Sequence, residues 1–211
     1  GHPGNTIIAW SLSTPSQSRL TEPMAGTCET RIEAARQAEA AGMTARFKFK
    51  PIVPLKGWRE EADLMIDLMF KRTHPDNLSA TVIMWKDIEQ LLKCMPETML
   101  DSEFVAEAKK VADQLKGDRN GPFPEHVRAE IYRHYLKCVR KYDKDVPFTI
   151  STESLTMWKE LGKELGTTPA TYVCGCGAGS TPGKATLESN PWEDAKDART
   201  WDGLVATPGC E

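Results

Sequence analysis

Four short runs, Ile7–Ser13, Ala45–Lys50, Ser79–Trp85 and Phe148–Glu153, carry small polar or charged residues at alternate positions with apolar residues between them. Strand side chains alternate with a period of two, so each run has one polar and one apolar face. In the second run Arg46, Lys48 and Lys50 share a face, and Phe47 and Phe49 share the other. The same split sets Ser11 and Ser13 against Trp10 and Leu12, Ser79 and Thr81 against Val82 and Met84, and Thr149, Ser151 and Glu153 against Phe148 and Ile150. Three of the runs are soon followed by an amphipathic helical segment, the rhythm of a parallel sheet whose crossovers are helices. The expected fold is α/β: a partial β-α barrel, or half-barrel, of parallel strands over residues 1–165, with helices on the outer face. An irregular tail rich in Gly, Pro and Trp follows over 166–211. With helices on the apolar face, the polar faces would line an open cavity.

The chain has 211 residues, 40% of them hydrophobic, enough for one good core and a single domain. A net charge of −3 without a Lys/Arg-rich block argues against a dedicated electrostatic nucleic-acid clamp, though not against a local basic site. No apolar run reaches the roughly eighteen residues of a membrane span, and no secretory leader opens the sequence. A cytoplasmic location is expected. Of the six cysteines, Cys28, Cys94 and Cys138 are scattered through helical segments, and reduced thiols are expected there.

Between the strands, residues 13–26 read as a long loop, and Thr27 caps a helix Cys28–Ala41 that Gly42 stops. A second helix, Trp58–Lys71, sets Leu64, Met65, Leu68 and Met69 on one side. The spacing predicts a short helix Asp87–Met95, a charged helical excursion Asp101–Asn120, a long helix from Pro124 to Tyr142 with Val127, Ile131, Tyr135, Cys138 and Val139 buried, and a last helix Leu155–Leu165. Ligand sites of β-α folds lie beyond the carboxyl ends of the strands. The candidates are therefore Ser11, Ser13, Lys48, Lys50, Trp85 and Ser151–Glu153, rimmed by the loops Pro15–Gly26 and Pro51–Gly57.

Each candidate reads two ways. Ser11 and Ser13 either contact a ligand or simply leave room. Lys48 and Lys50 either draw a carboxylate or phosphate into a partly enclosed site or protect an edge strand. Glu153 is a base, an acceptor for a ribose hydroxyl, or the partner of one of those lysines. In the tail, Cys174, Cys176 and Cys210 offer three soft ligands for a metal or auxiliary cluster, a disulfide, or free thiols; no histidine lies nearby to complete a zinc site. Trp192 and Trp201 flank an acidic stretch and read as anchors that hold the tail against the domain.

Three segments stand in a telling order. The first is Ile7-Ile8-Ala9-Trp10-Ser11-Leu12-Ser13 with Glu22-Pro23, Arg31-Ile32-Glu33-Ala34-Ala35 and Ala40-Ala41-Gly42. The second is Phe47-Lys48-Phe49-Lys50-Pro51-Ile52-Val53-Pro54 with Gly57-Trp58-Arg59-Glu60-Glu61. The third is Arg128-Ala129-Glu130-Ile131-Tyr132, leading to Thr152-Glu153-Ser154 and Trp158. Together they resemble the C-terminal half of the spore photoproduct lyase branch of the radical S-adenosylmethionine enzymes. The resemblance implies a partial barrel whose N-terminal half holds a [4Fe–4S] cluster on a Cys-x-x-x-Cys-x-x-Cys loop. The open iron binds the amino and carboxylate groups of S-adenosylmethionine, and reductive cleavage yields a 5′-deoxyadenosyl radical.

That loop occurs nowhere in the 211 residues, so the chain alone is not expected to cleave the cofactor. The chain is a piece of a longer protein, a subunit whose cluster half is another polypeptide, or a lineage that has left radical chemistry. Residue by residue, Ser11 matches a serine that contacts the amino-acid end of the cofactor. Ala9 stands where the lyase keeps a hydrogen-donating cysteine, which sets strict photoproduct repair aside. Lys48-Phe49-Lys50-Pro51 replaces a frequent His-x-Asp-Pro, Glu153 matches a recurrent strand-end glutamate, and Arg128 and Tyr132 match a helix motif of structural role. Ser11, Ser13, Lys48, Lys50 and Glu153 are thus the expected cofactor-binding set. By analogy alone the substrate is a nucleic-acid lesion. The alternative is a non-catalytic half-barrel that binds an anionic small molecule or a partner protein, with self-association along an open sheet edge beside the first strand.

Overall fold

The computed structural model describes residues 3–169, 171–172 and 181–183. Four strands, β1 (Ile7–Ser11), β2 (Thr44–Ile52), β3 (Leu78–Val82) and β4 (Phe148–Ile150), form one sheet in chain order, with every neighbouring pair parallel. The helices are α1 (Pro15–Thr21), α2 (Cys28–Ala40), α3 (Trp58–Arg72), α4 (Ile88–Cys94), α5 (Ser102–Lys110), α6 (Glu125–Arg140) and α7 (Leu155–Leu165). Each crossover advances one strand in the same direction, and right-handed crossovers of that kind place their helices on one face of the sheet. Accordingly α2 packs on β1 and β2, α6 on β3, and α7 on β4, while α2–α3, α3–α6 and α6–α7 pack side by side.

The core is the layer between sheet and helices. Phe47, Phe49, Ala80, Phe148 and Ile150 reach it from the strands, and Ile32, Met65, Ile66, Met69, Ile131, Tyr135 and Val139 from the helices. Phe49 lies 5.1 Å from the Tyr135 ring and 6.4 Å from that of Phe148, between centroids. Each such apolar side chain contributes roughly 1.5–3 kcal/mol by leaving water. Local signals set the helix ends. The Thr27 hydroxyl accepts from the Thr30 N–H, Asp87 and Gln90 form a reciprocal capping box, and the Ser154 hydroxyl accepts from the Met157 N–H. Gly42, at φ +83°, turns the chain out of α2 in the left-handed conformation that glycine adopts without strain.

Several expectations are corrected. The loop after β1 contains α1, started by Pro15 in its first turn and pinned by the buried Gln17. In α3 the buried stripe is Trp58, Ala62, Met65, Ile66 and Met69, whereas Leu64 is 65% exposed. Positions 58, 62, 65, 66 and 69 follow the 3.6-residue period, which carries position 64 to the outside. The charged excursion is helical only over α5; beyond Lys110 it runs in turns to Asn120. β3 and β4 are shorter than their sequence runs, because Trp85 (φ 63°) and Thr152 (φ 64°) leave extended geometry.

Among Cys28, Cys94 and Cys138, all free thiols, the first and last are buried in helices and only Cys94 is exposed. Burial pushes the Cys28 and Cys138 thiols up to about 12, an ionisation that starves them of thiolate at neutral pH. Alkylation of the native protein at pH 8 is therefore expected to label Cys94 well before either of them. Peptide mapping after a timed quench reads the order, and equal labelling of Cys28 in the folded protein would contradict the burial.

Candidate functional site

Register builds the polar face. Ser11 pairs with Lys48, Lys48 with Ser79, and Ser79 with Thr149, so one row of small polar and cationic residues crosses all four strands on the face opposite Phe47 and Phe49. The row is not uniformly open. Ser11 is exposed and Lys48 half-buried, but Ser79 and Thr149 are 7% and 2% exposed, so the opening lies over β1 and β2.

The three cations of β2 differ in what they meet. Arg46 is buried and gives a two-pronged ion pair to Asp76, with Nε 2.5 Å from Oδ1 and Nη2 2.8 Å from Oδ2. The chain beyond α7 returns to this place: Arg46 Nη2 also donates to the Thr181 carbonyl at 3.0 Å, and the Gly183 N–H donates to Asp76 at 2.8 Å. Among the described residues, Lys48 and Lys50 have neither an ion-pair nor a hydrogen-bond partner. The positive charge of β2 is thus neutralised at its amino end and left available toward its carboxyl end, where β-α folds place ligands.

Beyond β1 the chain is tied down. Ser13 is buried and donates its hydroxyl to Glu22 Oε1 at 2.5 Å, and Arg31 holds Glu22 Oε2 at 2.7 Å while donating to the Ser11 carbonyl at 3.0 Å. Burial pushes the Glu22 carboxyl up, but the hydrogen bond from Ser13 and those from Arg31 and Gln17 outweigh it and hold Glu22 below its ordinary value. Gln17 reaches from α1 to the loop after β2, donating to the Pro51 carbonyl at 2.7 Å and accepting from the Val53 N–H at 3.0 Å. That loop is no open rim: Ile52, Val53 and Leu55 are buried. Just beyond β1 the Thr14 hydroxyl is buried without a partner among the described residues.

Glu153 meets neither lysine. Its side chain is fully buried beyond β4, where Arg128 Nε and Nη2 donate to its two oxygens at 3.1 and 3.3 Å. The Tyr132 hydroxyl donates to it at 2.7 Å and accepts from the Val82 N–H at 3.0 Å. Ser154 N–H adds a bond at 3.1 Å, and Arg128 Nη1 reaches the Phe123 carbonyl at 2.7 Å. Burial, followed by the Glu153 charge, pushes the Tyr132 hydroxyl well above its ordinary range, which keeps it a neutral donor. The network locks the ends of β3 and β4 to α6.

Directly beyond those ends stand two non-glycine residues with left-handed backbone, Trp85 and Thr152. For a β-branched residue this conformation is strained, and strain of this sort collects where a fold positions something. Thr152 is held by its hydroxyl contacts to the Ser151 carbonyl at 2.5 Å and to Met84 Sδ at 3.3 Å. Trp85 is 63% exposed, with the Arg119 guanidinium 5.9 Å from its ring centre. Together with Lys86, Asp87, Gln90 and Asp118 they line a cleft of about 440 Å³. No family model, no curated protein and no solved structure matches the chain.

The expected site residues therefore divide. Ser11 and Lys48 are register partners on the open part of the face, and half-buried Lys50 follows where the register of β2 shifts. Ser13 is committed to Glu22, and Glu153 to Arg128 and Tyr132. Cys174, Cys176, Cys210, Trp192 and Trp201 lie outside the described residues. The Gln17–Glu22–Arg31 ties and the two left-handed residues were not foreseen, since long-range hydrogen bonds and positive φ values leave no periodic trace. No described helix is long and apolar enough to cross a membrane.

Proposed function

We propose that this chain is the substrate-side portion of a radical S-adenosylmethionine enzyme resembling spore photoproduct lyase. In this reading the sheet curls into a half-barrel, and Ser11, Lys48 and Lys50 hold the anionic end of the cofactor. The observation that carries it is the pair of half-buried lysines without a partner among the described residues, Lys48 in register with Ser11 and Lys50 two residues on. A carboxylate there takes charge-assisted hydrogen bonds from Lys48 and Lys50, and the Ser11 hydroxyl completes its shell. The orphaned Thr14 hydroxyl, buried at the same strand end, is a further polar group that a ligand would satisfy. These residues fit the amino-acid portion of S-adenosylmethionine, which supplies the radical precursor when bound.

The described residues do not fit the iron–sulfur cluster. Among the described residues no three thiols converge, since Cys28 and Cys138 are buried in different helices and Cys94 is exposed on a third. The Cys-x-x-x-Cys-x-x-Cys loop would have to come from further chain or from another polypeptide, and β1, paired on one side only among the described residues, offers the edge against which it would assemble. Glu153, Arg128 and Tyr132 keep the strand ends in place in this reading, as positioning residues.

Binding of S-adenosylmethionine tests it. A charged hydrogen bond in a partly enclosed site is worth about 1.5–3 kcal/mol, so Lys48→Met is expected to weaken binding by roughly ten- to a hundredfold. The loss should persist at high salt, where an exposed charge is screened. Calorimetric titration of wild type and variant at two salt concentrations, with inorganic phosphate as a second probe, reads the result. A loss under tenfold that vanishes at high salt makes the lysines ordinary edge residues. Binding of phosphate without S-adenosylmethionine points to the non-catalytic anion-binding module instead.

A further inference from the structure

On the far side of the helical layer, three side chains of different chemistry converge between α3 and α6. Asp63 Oδ1 lies 2.9 Å from His134 Nε2 and 2.6 Å from Cys138 Sγ, and the three ligand atoms all fall within 4.8 Å of one another. His134 and Cys138 are four residues apart on α6, the spacing that sets two ligands on one face of a helix. A fourth donor adjoins them, for the Arg59 carbonyl oxygen is 3.2 Å from the same His134 nitrogen. Supporting contacts fix the geometry. The Trp58 ring stands edge-on to His134 at 5.0 Å, and Lys141 Nζ holds the outer oxygen of Asp63 at 3.2 Å. Cys138 is buried, while Asp63 and His134 remain partly exposed, which leaves an entry path.

We infer that Asp63, His134 and Cys138 form a zinc site that ties α3 to α6, independent of the polar face of the sheet. Sulfur, imidazole nitrogen and carboxylate oxygen together are the donor set of zinc, whereas magnesium and calcium take oxygen alone. Zinc bonds of about 2.0–2.3 Å separate neighbouring donors by more than three ångströms, so Cys138 must move about 1 Å away from Asp63 as the metal enters between them. The step is a simple exchange: the Cys138 S–H bond breaks, its proton leaves to solvent, a zinc–sulfur bond forms, and no group is oxidised or reduced. His134 binds through Nε2 and carries its proton on Nδ1. The two negative ligands neutralise the ion, and the Arg59 carbonyl or a water takes the fourth position.

Because the tail holds Cys174, Cys176 and Cys210, the experiment separates the two sets of thiols. The 211-residue chain with all three changed to Ser is stripped with a chelator, kept reduced, and titrated with cobalt(II) and then zinc. One cobalt per chain is expected, with a thiolate-to-metal charge-transfer band that zinc abolishes, and zinc should raise the thermal unfolding midpoint. Adding Cys138→Ser should remove the band, and Asp63→Asn should weaken zinc by more than about a hundredfold, beyond what the loss of an outer-sphere partner costs. Should Cys138→Ser unfold the protein, His134→Gln with unchanged far-ultraviolet circular dichroism serves in its place. No band and no thermal shift in the tail variant, or a band that survives both changes at α6, overturns the site and leaves a hydrogen-bonded packing cluster.

Discussion

Replacing Arg128 with Met is expected to lower the unfolding free energy by about 3–5 kcal/mol, the cost of leaving a buried carboxylate without its partner. The Arg128 and Glu153 side chains are 4% and 0% exposed, so water cannot take over the lost contacts. The change also strips a donor from the Phe123 carbonyl. Arg128→Met combined with Glu153→Gln should recover part of the loss, because the neutral amide no longer needs a cation and its oxygen can still accept from the Tyr132 hydroxyl. Urea unfolding at neutral pH measures both variants. A loss under about 1 kcal/mol for the single change would mean that Glu153 is solvated or otherwise paired in solution and that Arg128 does not hold the ends of β3 and β4. Since the network holds the ends of two strands, the same variant should also loosen the cleft beside Trp85.

A second large effect separates the two faces of one strand. Phe49→Ala is expected to cost about 3–5 kcal/mol, as for other large-to-small changes in a core, because the ring is fully buried against Tyr135 and Phe148. Lys48→Met, one residue earlier, should alter stability by no more than about 0.5 kcal/mol, since its head group meets no partner among the described residues. Paired thermal or chemical unfolding curves give both numbers. Equal losses at the two positions would mean that period-two alternation fails on β2, and the polar face with it. The same Lys48→Met variant serves the binding test, and its intact fold is what lets a lost affinity be read as a lost contact.

What the residues alone determined is the secondary-structure rhythm and the sheet. Alternation on β2 is unambiguous because Phe47 and Phe49 are large and Lys48 and Lys50 charged, and a pattern so polarised fits one orientation only. The cap of α2 was legible for the same local reason, as Thr27 bonds to a backbone group three residues away, whereas Asp87 and Ser154, which cap α4 and α7, were not singled out from the sequence. Leu64 misled because one apolar residue on a helix does not fix the stripe; the choice depends on which positions meet a neighbouring helix. Only the tertiary structure decided the rest. Arg46, Lys48 and Lys50 are alike as a pattern, yet Asp76 and the returning chain at Thr181 take up the first, and among the described residues the other two meet no partner. Glu153 found Arg128 and Tyr132 rather than a lysine because α6 packs on β3, beside the end of β4, a juxtaposition no spacing encodes. Asp63 meets His134 and Cys138 for the same reason: alternation and capping act over a few residues, whereas the pairing of charges is set by which elements the packed core brings side by side.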